Sequence, residues 1–207
     1  MLMSKISEKY TQIHCLYNIN SLKNLKSIMN YGILSKNLLK NKNIQNEDLS
    51  NISVQSRREL KRVPNHGPLH DYANLYFDAR NPMLFNLVNN KDLDELCVLC
   101  IDKRVLDLPD TVVTDRNAAA NLAIFEKPEK ALERLNFEII LAKYWTDNNP
   151  LIKDEKKQIK CAEVLILNKV PVEYIQGIIV CTEIARQKVI EFELGIPVYL
   201  NRDLFFQ

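Results

Sequence analysis

Hydrophobic residues recur along the chain at two spacings: about every 3.6 residues, as in helices, and every second residue, as in strands. Segments rich in β-branched, aromatic or apolar residues predict strands at 10–17, 95–101, 161–167, 175–181 and 197–200. Apolar residues at helical spacing predict helices at 21–31, 83–88, 115–125, 128–145 and 183–194. Gly32 and Gly195 stand where glycines end helices. Because strands and helices mix without a regular strand–helix–strand alternation, the pattern predicts an α+β fold.

The remaining segments predict loops. We predict irregular or weakly helical structure over 35–55, with a short helix leading into 56–61. We predict a loop that leads into a strand over 106–113. Residues 146–160 are polar, contain Pro150 and show no periodicity, so we predict a loop there. With 207 residues and no internal repeat, residues 1–207 are expected to form a single domain.

The stretch Val63–Met83 concentrates functional groups. It contains two of the chain's three histidines, His66 and His70, together with Asp71, Arg80, two tyrosines and three prolines. Its first half predicts a loop, and LYF predicts a short extended run. Such a loop is either a binding loop or a polar turn held by its own hydrogen bonds, and residue types alone favour neither.

Composition narrows the classes of function only slightly. The net charge is +2, but basic residues cluster in SRRELKR (56–62) and KDEKKQIK (153–160), which would attract a polyanion if both line one cleft. The five cysteines indicate no disulfide framework. Cys97 and Cys100 fall on opposite faces of a predicted strand and are not expected to share a metal. No secretory signal and no membrane-length apolar run is found, so a cytoplasmic location is expected.

Glu163 stands in an otherwise apolar run, CAEVLIL (161–167). On a half-buried strand, this carboxylate could simply point to water. It could also be a rigidly held catalytic group that stabilises a positive sugar centre or acts as a base.

Taken together and in order, several of these pieces make the chain resemble the DarT family, bacterial toxins that transfer ADP-ribose from NAD+ to bases of single-stranded DNA. The pieces are IHCLYNINSLKNLKSIMNYGIL, VQSRRELKRVP, LHDYANLYFDARNPML, TDRNAAA, KCAEVLI and VPVEYI. The resemblance implies an ADP-ribosyltransferase fold, with a split, mainly antiparallel β core flanked by helices and NAD+ in a cleft. It also implies no metal.

The resemblance assigns roles residue by residue. Glu163 and Arg58 would be catalytic. The NAD+ contacts would be His14, Leu16, His70, Tyr76, Arg80 and Met83. The single-stranded DNA contacts would be Arg57, Arg62, Asn117, Lys156, Lys157 and Lys160, with 146–160 as the substrate-recognition loop. A cognate antitoxin, an ADP-ribosyl-glycohydrolase of the macrodomain or NADAR type, would be the partner.

Two departures bear on the target base. Thymidine-modifying members carry histidine after TDR, where this chain has Asn117, and some carry arginine where this chain has Lys157. TDRNAAA and KCAEVLI are closer to a guanosine-modifying branch. Guanine is therefore favoured over thymine.

Two competing hypotheses use the same residues. One is an ADP-ribosyltransferase that acts on RNA or protein, or a plain NAD+ glycohydrolase. The other is a non-catalytic nucleic-acid-binding module built on the basic clusters and the Tyr72–Tyr76 stretch. The modest net charge argues against this binding module.

Overall fold

The computed structural model describes residues 5–207 and has a mixed α+β architecture. In this range, eight of ten strands form one sheet in the order β10-β9-β4-β1-β3-β7-β5-β6, and β2 and β8 form a separate antiparallel pair. The strands are β1 (Cys15–Ser21), β2 (Ile33–Leu34), β3 (Tyr72–Tyr76), β4 (Leu96–Asp102), β5 (Val112–Thr114), β6 (Phe125–Glu126), β7 (Glu163–Leu167), β8 (Lys169–Val170), β9 (Ile175–Val180) and β10 (Val198–Leu200). Neighbours in the large sheet are antiparallel except β9 and β10, so the predicted mainly antiparallel core is confirmed.

The large sheet is split in its middle. Strand β1 pairs with β4 along its whole length, but its register with β3 is the single pair Tyr17 and Tyr76. Beyond that pair the two halves diverge, and the Asn18 amide bridges them by donating to the Asn74 carbonyl oxygen at 3.1 Å. The gap between β1 and β3 is the part of the fold that makes room for a ligand.

Each face of the sheet carries its own apolar cluster because side chains alternate along a strand. Leu16, Leu75 and Leu99 belong to the larger cluster, which is covered by α2 and α9. Tyr76 and Val98 belong to a second cluster on the opposite face.

The helices lie around the sheet and in the connections between its strands. They are α1 (Ile6–Lys9), α2 (Leu25–Tyr31), α3 (Lys36–Asn41), α4 (Ile52–Leu60), α5 (Pro82–Val88), α6 (Pro128–Ala131), α7 (Phe137–Ile140), α8 (Pro150–Ile159) and α9 (Glu183–Ile190). Short 3-10 helices occupy 22–24, 69–71, 93–95, 103–107, 172–174 and 203–205. No helix in residues 5–207 is both long and apolar enough to cross a membrane.

Several predicted elements are confirmed. Strands β4, β7, β9 and β10 fall within about two residues of their predicted bounds, as does α5. Helix α2 ends at Tyr31 as predicted but begins at Leu25, after the 3-10 helix at 22–24. Helix α9 begins where predicted but ends earlier, at Ile190. Gly32 ends α2 with a φ of 87°, and a Cβ added there would lie 2.3 Å from the Val170 carbonyl oxygen, so only glycine fits against β8.

Four predicted elements are wrong. The first strand occupies 15–21 instead of 10–17, and His14 precedes it. Residues 115–124 form turns instead of a helix, because the Asp115 carboxylate accepts the Ile124 N–H at 2.9 Å and closes the segment into a loop.

The other two errors concern helices. The helix predicted over 128–145 is two short helices, α6 and α7, and the Asn136 side chain caps the second one. The loop predicted over 146–160 contains α8, which Asn149 caps and Pro150 opens.

Candidate active site

The centre of the candidate site is a buried ion pair between Arg58 and Glu163. Arg58 Nη1 donates to both carboxylate oxygens of Glu163, at 3.1 Å to Oε1 and 2.9 Å to Oε2. Glu163 is fully buried and Arg58 nearly so, which makes the pair a desolvated one. A charged pair in a dry site has strong local electrostatics, as catalysis on charged substrates requires.

Glu163 is held rigidly by the sheet and by the 115–124 loop. It opens β7 between β3 and β5, opposite Tyr76, and its backbone N–H donates to Thr114 Oγ1 at 3.1 Å. The Ala118 backbone N–H donates to Glu163 Oε1 at 2.9 Å. The carboxylate therefore has a fixed orientation, so the possibility that Glu163 simply points to water is wrong.

A wide cleft of about 640 Å³ opens beside this pair. Arg58 lines it, whereas Glu163 does not, so the guanidinium separates the carboxylate from the cleft. Tyr76 and Met83 form part of its apolar wall, and the Tyr76 hydroxyl lies 3.2 Å from Met83 Sδ. Burial, followed by the charge of Glu163, raises the pKa of Tyr76 well above its ordinary value.

A narrower cleft of about 160 Å³ follows the split of the sheet and shares Arg58, Asn74 and Met83 with the wide one. Asn18 and Asn20 of β1 line it from the other side of the split. The two clefts thus form one groove that runs from the divergence of β1 and β3 to the Arg58–Glu163 pair.

His70 lies at the outer end of the narrow cleft. Its Nε2 is 3.0 Å from Gln55 Oε1, which also accepts from the Lys36 ammonium at 3.0 Å. Burial, and after it the positive charges of Lys36 and Arg58, lower the pKa of His70. A neutral imidazole is therefore favoured at this position.

The structure brings only some of the predicted NAD+ contacts together. His70, Tyr76 and Met83 line the groove. His14 is exposed before β1 and Leu16 is fully buried in the core, so neither lines the groove.

Arg80 also lies outside the groove. Its guanidinium stacks on Phe206 with 4.1 Å between Cζ and the ring centroid, and it donates to the Asp203 carbonyl oxygen. This position gives it a structural contact in place of the predicted NAD+ contact.

Only some of the predicted DNA contacts line the wide cleft. Arg57, Asn117 and Lys157 line the wide cleft, while Arg62 is exposed outside it. Lys156 forms an ion pair of 2.8 Å with Asp147. Lys160 is almost completely buried, where it pairs with the Asp78 carboxylate and donates to the Ile140 carbonyl oxygen at 2.8 Å. Lys160 therefore cannot reach a DNA strand in this conformation, and its predicted role is corrected to a structural one.

Sequence reasoning missed the asparagines of the groove. Asn18, Asn20 and Asn24 form a chain in which Asn20 Nδ2 donates to Asn18 Oδ1 at 2.9 Å and Asn24 Nδ2 donates to Asn20 Oδ1 at 2.7 Å. The alternation YNIN was a signal, because asparagine is depleted in strands and two at alternate positions indicate a polar face with a use.

No group of three or more His, Cys, Asp and Glu side chains among residues 5–207 is arranged to hold a metal ion. Cys97 is buried in the sheet, and Cys161, which lines the wide cleft, is buried as well. Burial raises the pKa of the Cys161 thiol to about 12, so it is an unreactive neighbour of the site.

Comparison with known proteins identifies the family to which the chain belongs. The family model described as "DarT: ssDNA thymidine ADP-ribosyltransferase, DarT" matches residues 17–206. A DNA ADP-ribosyl transferase of Thermus sp. is 30% identical over 193 residues, which cover 88% of each chain.

A second relative is longer than this chain. The DNA ADP-ribosyl transferase–DNA ADP-ribosyl glycohydrolase fusion protein of Thermosipho africanus is 29% identical over 196 residues, which cover 92% of this chain. This chain spans about half the length of that fusion protein, 49%.

The fold agrees with a solved member of the family. The structure of Thermus sp. 2.9 DarT in complex with ADP-ribosylated single-stranded DNA superposes with a TM-score of 0.81 at 25% identity. The superposition covers 94% of this chain and 97% of that one.

Proposed function

This chain belongs to the DarT family of DNA ADP-ribosyltransferases, and we propose that it transfers ADP-ribose from NAD+ to a base of single-stranded DNA and releases nicotinamide. The observation that carries the proposal is the buried Arg58–Glu163 pair beside the groove. Both residues stand in the motifs that carry the family resemblance.

NAD+ fits the groove by its chemistry. The narrow part offers the amides of Asn18, Asn20 and Asn74 and the ring of His70, which suit the hydroxyls and phosphates of a dinucleotide. The wide part offers Tyr76 and Met83 as apolar surface for the nicotinamide ring. We therefore assign the adenosine contacts to Asn18 and Asn20 in place of His14 and Leu16.

The reaction exchanges one glycosidic bond for another. The bond between the ribose C1′ and the nicotinamide nitrogen breaks, and nicotinamide leaves as a neutral molecule with the bonding electrons. A nitrogen of the base donates its lone pair to C1′ and loses a proton. Positive charge develops on the ribose in between, and the Glu163 carboxylate opposes it and is the acceptor for the proton.

Arg58 controls access to that carboxylate. Glu163 has no exposed surface, and Arg58 lies on the cleft side. Substrate binding must therefore shift the guanidinium before Glu163 can reach a ribose hydroxyl. The shifted guanidinium is then free to bind phosphate or base oxygens in its fork geometry.

We propose guanine as the acceptor base, with thymine as the competing acceptor. Support for guanine comes from Asn117 and Lys157, which replace the histidine and arginine of thymidine-modifying members and both line the wide cleft. The family description names thymidine, so the two bases must be separated by experiment.

We also propose that the chain is the toxin of a toxin–antitoxin pair. The Thermosipho relative joins a transferase to a glycohydrolase in one chain, and an enzyme that removes ADP-ribose from DNA would reverse the proposed reaction. The partner would be such a glycohydrolase, of the macrodomain or NADAR type.

The test is incubation of the protein with NAD+ and oligonucleotides that lack either guanine or thymine, read by intact mass and fragmentation. An added ADP-ribose on guanine-containing DNA, absent with Glu163→Gln, is expected. ADP-ribose only on thymine-containing DNA would reject guanine. NAD+ consumption without modified DNA would indicate an RNA, protein or water acceptor, and no consumption would indicate a binding module.

A further inference from the structure

One exposed leucine lines the wide cleft. Leu122 is 75% exposed, yet it lies on the same cleft as Arg58 and Tyr76. Single exposed apolar side chains are common on protein surfaces and need no explanation. A highly exposed leucine on the wall of a cleft that also carries Arg57, Arg58 and Lys157 is a different matter, because solvent contacts it in the free protein and a ligand in the cleft would cover it.

The loop that carries Leu122 is held in place from several sides. At its start, the Ala118 N–H donates to Glu163 and the Asn117 N–H donates to the Gln158 carbonyl oxygen at 3.0 Å. In its middle, the Ala120 carbonyl oxygen accepts from the Lys61 ammonium at 3.0 Å. At its end, Asp115 accepts the Ile124 N–H. Leu122 therefore projects from a fixed loop whose position is tied to the catalytic carboxylate.

The surroundings of Leu122 match the chemistry of a nucleic acid strand. Arg57 and Lys157 line the same cleft and supply positive charge for phosphates. Asn117 and Asn121 supply amides for base edges. Leu122 supplies the apolar surface on which a base face can pack.

A base that reacts inside a cleft must first leave its stack, and proteins that unstack DNA insert apolar side chains such as leucine between bases. We infer that Leu122 packs on the nucleobase adjacent to the target base and replaces the target base as its stacking neighbour. The freed target base then turns toward Arg58 and Glu163. This inference rests on the proposed function and names the residue that presents the acceptor.

The kinetic test compares Leu122→Ala with two other variants. Leu122→Met keeps an apolar side chain of similar volume. Leu60→Ala removes a leucine that is 86% exposed and does not line the cleft. Because truncation to alanine removes apolar surface that a base would cover, kcat/KM for a single-stranded oligonucleotide is expected to fall about tenfold in Leu122→Ala. Leu122→Met and Leu60→Ala should stay close to the wild type.

A second measurement separates base presentation from simple loss of structure. An oligonucleotide with 2-aminopurine at the target position fluoresces more strongly when that base leaves its stack. The wild type is expected to raise the fluorescence, and Leu122→Ala is expected not to, at protein concentrations where fluorescence anisotropy shows equal saturation. Equal unfolding temperatures of the two proteins would exclude misfolding.

Wild-type kinetics, or a full fluorescence rise, in Leu122→Ala would overturn the inference. Normal DNA kinetics with lost binding of a purified glycohydrolase partner would also overturn it, by assigning Leu122 to a protein interface. A wild-type protein that modifies no DNA would reject the proposed function and the inference with it, whereas DNA modification by the wild type with unchanged behaviour of Leu122→Ala would reject the inference alone.

Discussion

At the scale of single residues, the energetics of the site are dominated by two buried charges. The Arg58 guanidinium and the Glu163 carboxylate form an ion pair, and the Ala118 N–H donates a further hydrogen bond to the carboxylate. Removal of one member of such a pair leaves an uncompensated buried charge, which costs more than the pair itself contributes. Activity and stability are therefore linked at this position and must be separated by the choice of variant.

Glu163→Ala is expected to lower the free energy of unfolding by about 3–5 kcal/mol, because it leaves the Arg58 guanidinium buried without its partner. The double variant Arg58→Met with Glu163→Leu should recover most of that loss and remain inactive. Urea denaturation measures both effects. A double variant no more stable than Glu163→Ala would contradict this account.

For the activity test, Glu163→Gln is the better variant, since its amide oxygen can still accept the Ala118 N–H. Its rate of ADP-ribose transfer is expected to fall by about 100-fold or more. Circular dichroism serves as the control that the fold is kept.

Two cysteines should differ sharply in reactivity. A hydrogen bond from Cys100 lowers the pKa of the half-buried Cys15 thiol to about 7, whereas burial raises that of Cys161 to about 12. About half of Cys15 is thiolate at pH 7, and that fraction falls about fivefold at pH 6. Iodoacetamide should therefore label Cys15 first, with a rate that falls as the pH falls, and Cys15→Ser should abolish this early labelling. Mass spectrometry of peptides provides the measurement, and faster labelling of Cys161 would refute the prediction.

At the scale of elements, the lysines within and just after α8 differ in their exposure to solvent. Lys157 lines the cleft, whereas Lys160, just after the helix ends, is buried against Asp78. The sequence KDEKKQIK gives no sign of this difference. Residue type and spacing describe a basic segment, but only the packing of α7 and Asp78 against its end decides which ammonium group is removed from solvent.

Lys157→Ala should therefore affect DNA binding, whereas Lys160→Met should affect stability. Lys157→Ala is expected to weaken oligonucleotide binding and reduce the slope of log K against log salt concentration by about 1, with unchanged stability. Lys160→Met is expected to lower the free energy of unfolding by about 3 kcal/mol, because it leaves Asp78 and the Ile140 carbonyl oxygen without their partner. Salt titrations and urea denaturation of both variants measure this, and a salt slope that changes in Lys160→Met at equal stability would contradict it.

The elements that the sequence predicted well are those that the local pattern decides. β4, β7 and β9 are built around short apolar runs, LCVLCI, VLIL and IIV, and the cap residue Thr182 stands just before α9. The failures lie where side-chain contacts outweigh local propensity. TDRNAAA has the composition of a helix, but the Asp115 carboxylate accepts the Ile124 N–H and closes the segment into a loop.

The motifs located Arg58, His70, Tyr76, Met83 and Glu163 correctly on or beside one groove. They could not place Arg80 or Lys160, whose side chains are directed away from the groove by distant partners, Phe206 and Asp78. His14, which the resemblance assigns to NAD+, precedes β1 and does not line the groove. The first strand was predicted to end at Tyr17, but β1 continues through Asn18 and Asn20, whose amides find hydrogen-bond partners at the split of the sheet.

At the scale of the whole molecule, the split between β1 and β3 is what turns a sheet into a binding groove. A fully paired sheet would close the gap that Asn18, Asn20 and Asn74 line. The two halves remain joined at Tyr17 and Tyr76, so the groove has a closed end beside the Arg58–Glu163 pair.

NAD+ is expected to raise the unfolding temperature of the wild type, since a ligand at 100 times its Kd stabilises the folded state by about 2.7 kcal/mol. Asn20→Ala should reduce this rise, because it removes an amide from the groove. His14→Ala should keep it, because His14 lies outside. Thermal unfolding with and without NAD+ measures the difference within each variant. If NAD+ no longer raised the unfolding temperature of His14→Ala but still raised that of Asn20→Ala, the prediction that His14 contacts NAD+ would hold.

The position of the Arg58–Glu163 pair in the chain also has a consequence for synthesis. Arg58 and Glu163 stand 105 residues apart, and β7, which begins at Glu163, inserts between β3 and β5. A ribosome makes the chain from its N-terminus, so β1, β3, β4 and β5 all exist before the strand that joins β3 to β5. A nascent chain therefore has no competent site until residue 163 has been added and has folded into the sheet. Interrupted translation before that point is expected to yield a fragment that lacks the Arg58–Glu163 pair and, under the proposed function, transfers no ADP-ribose.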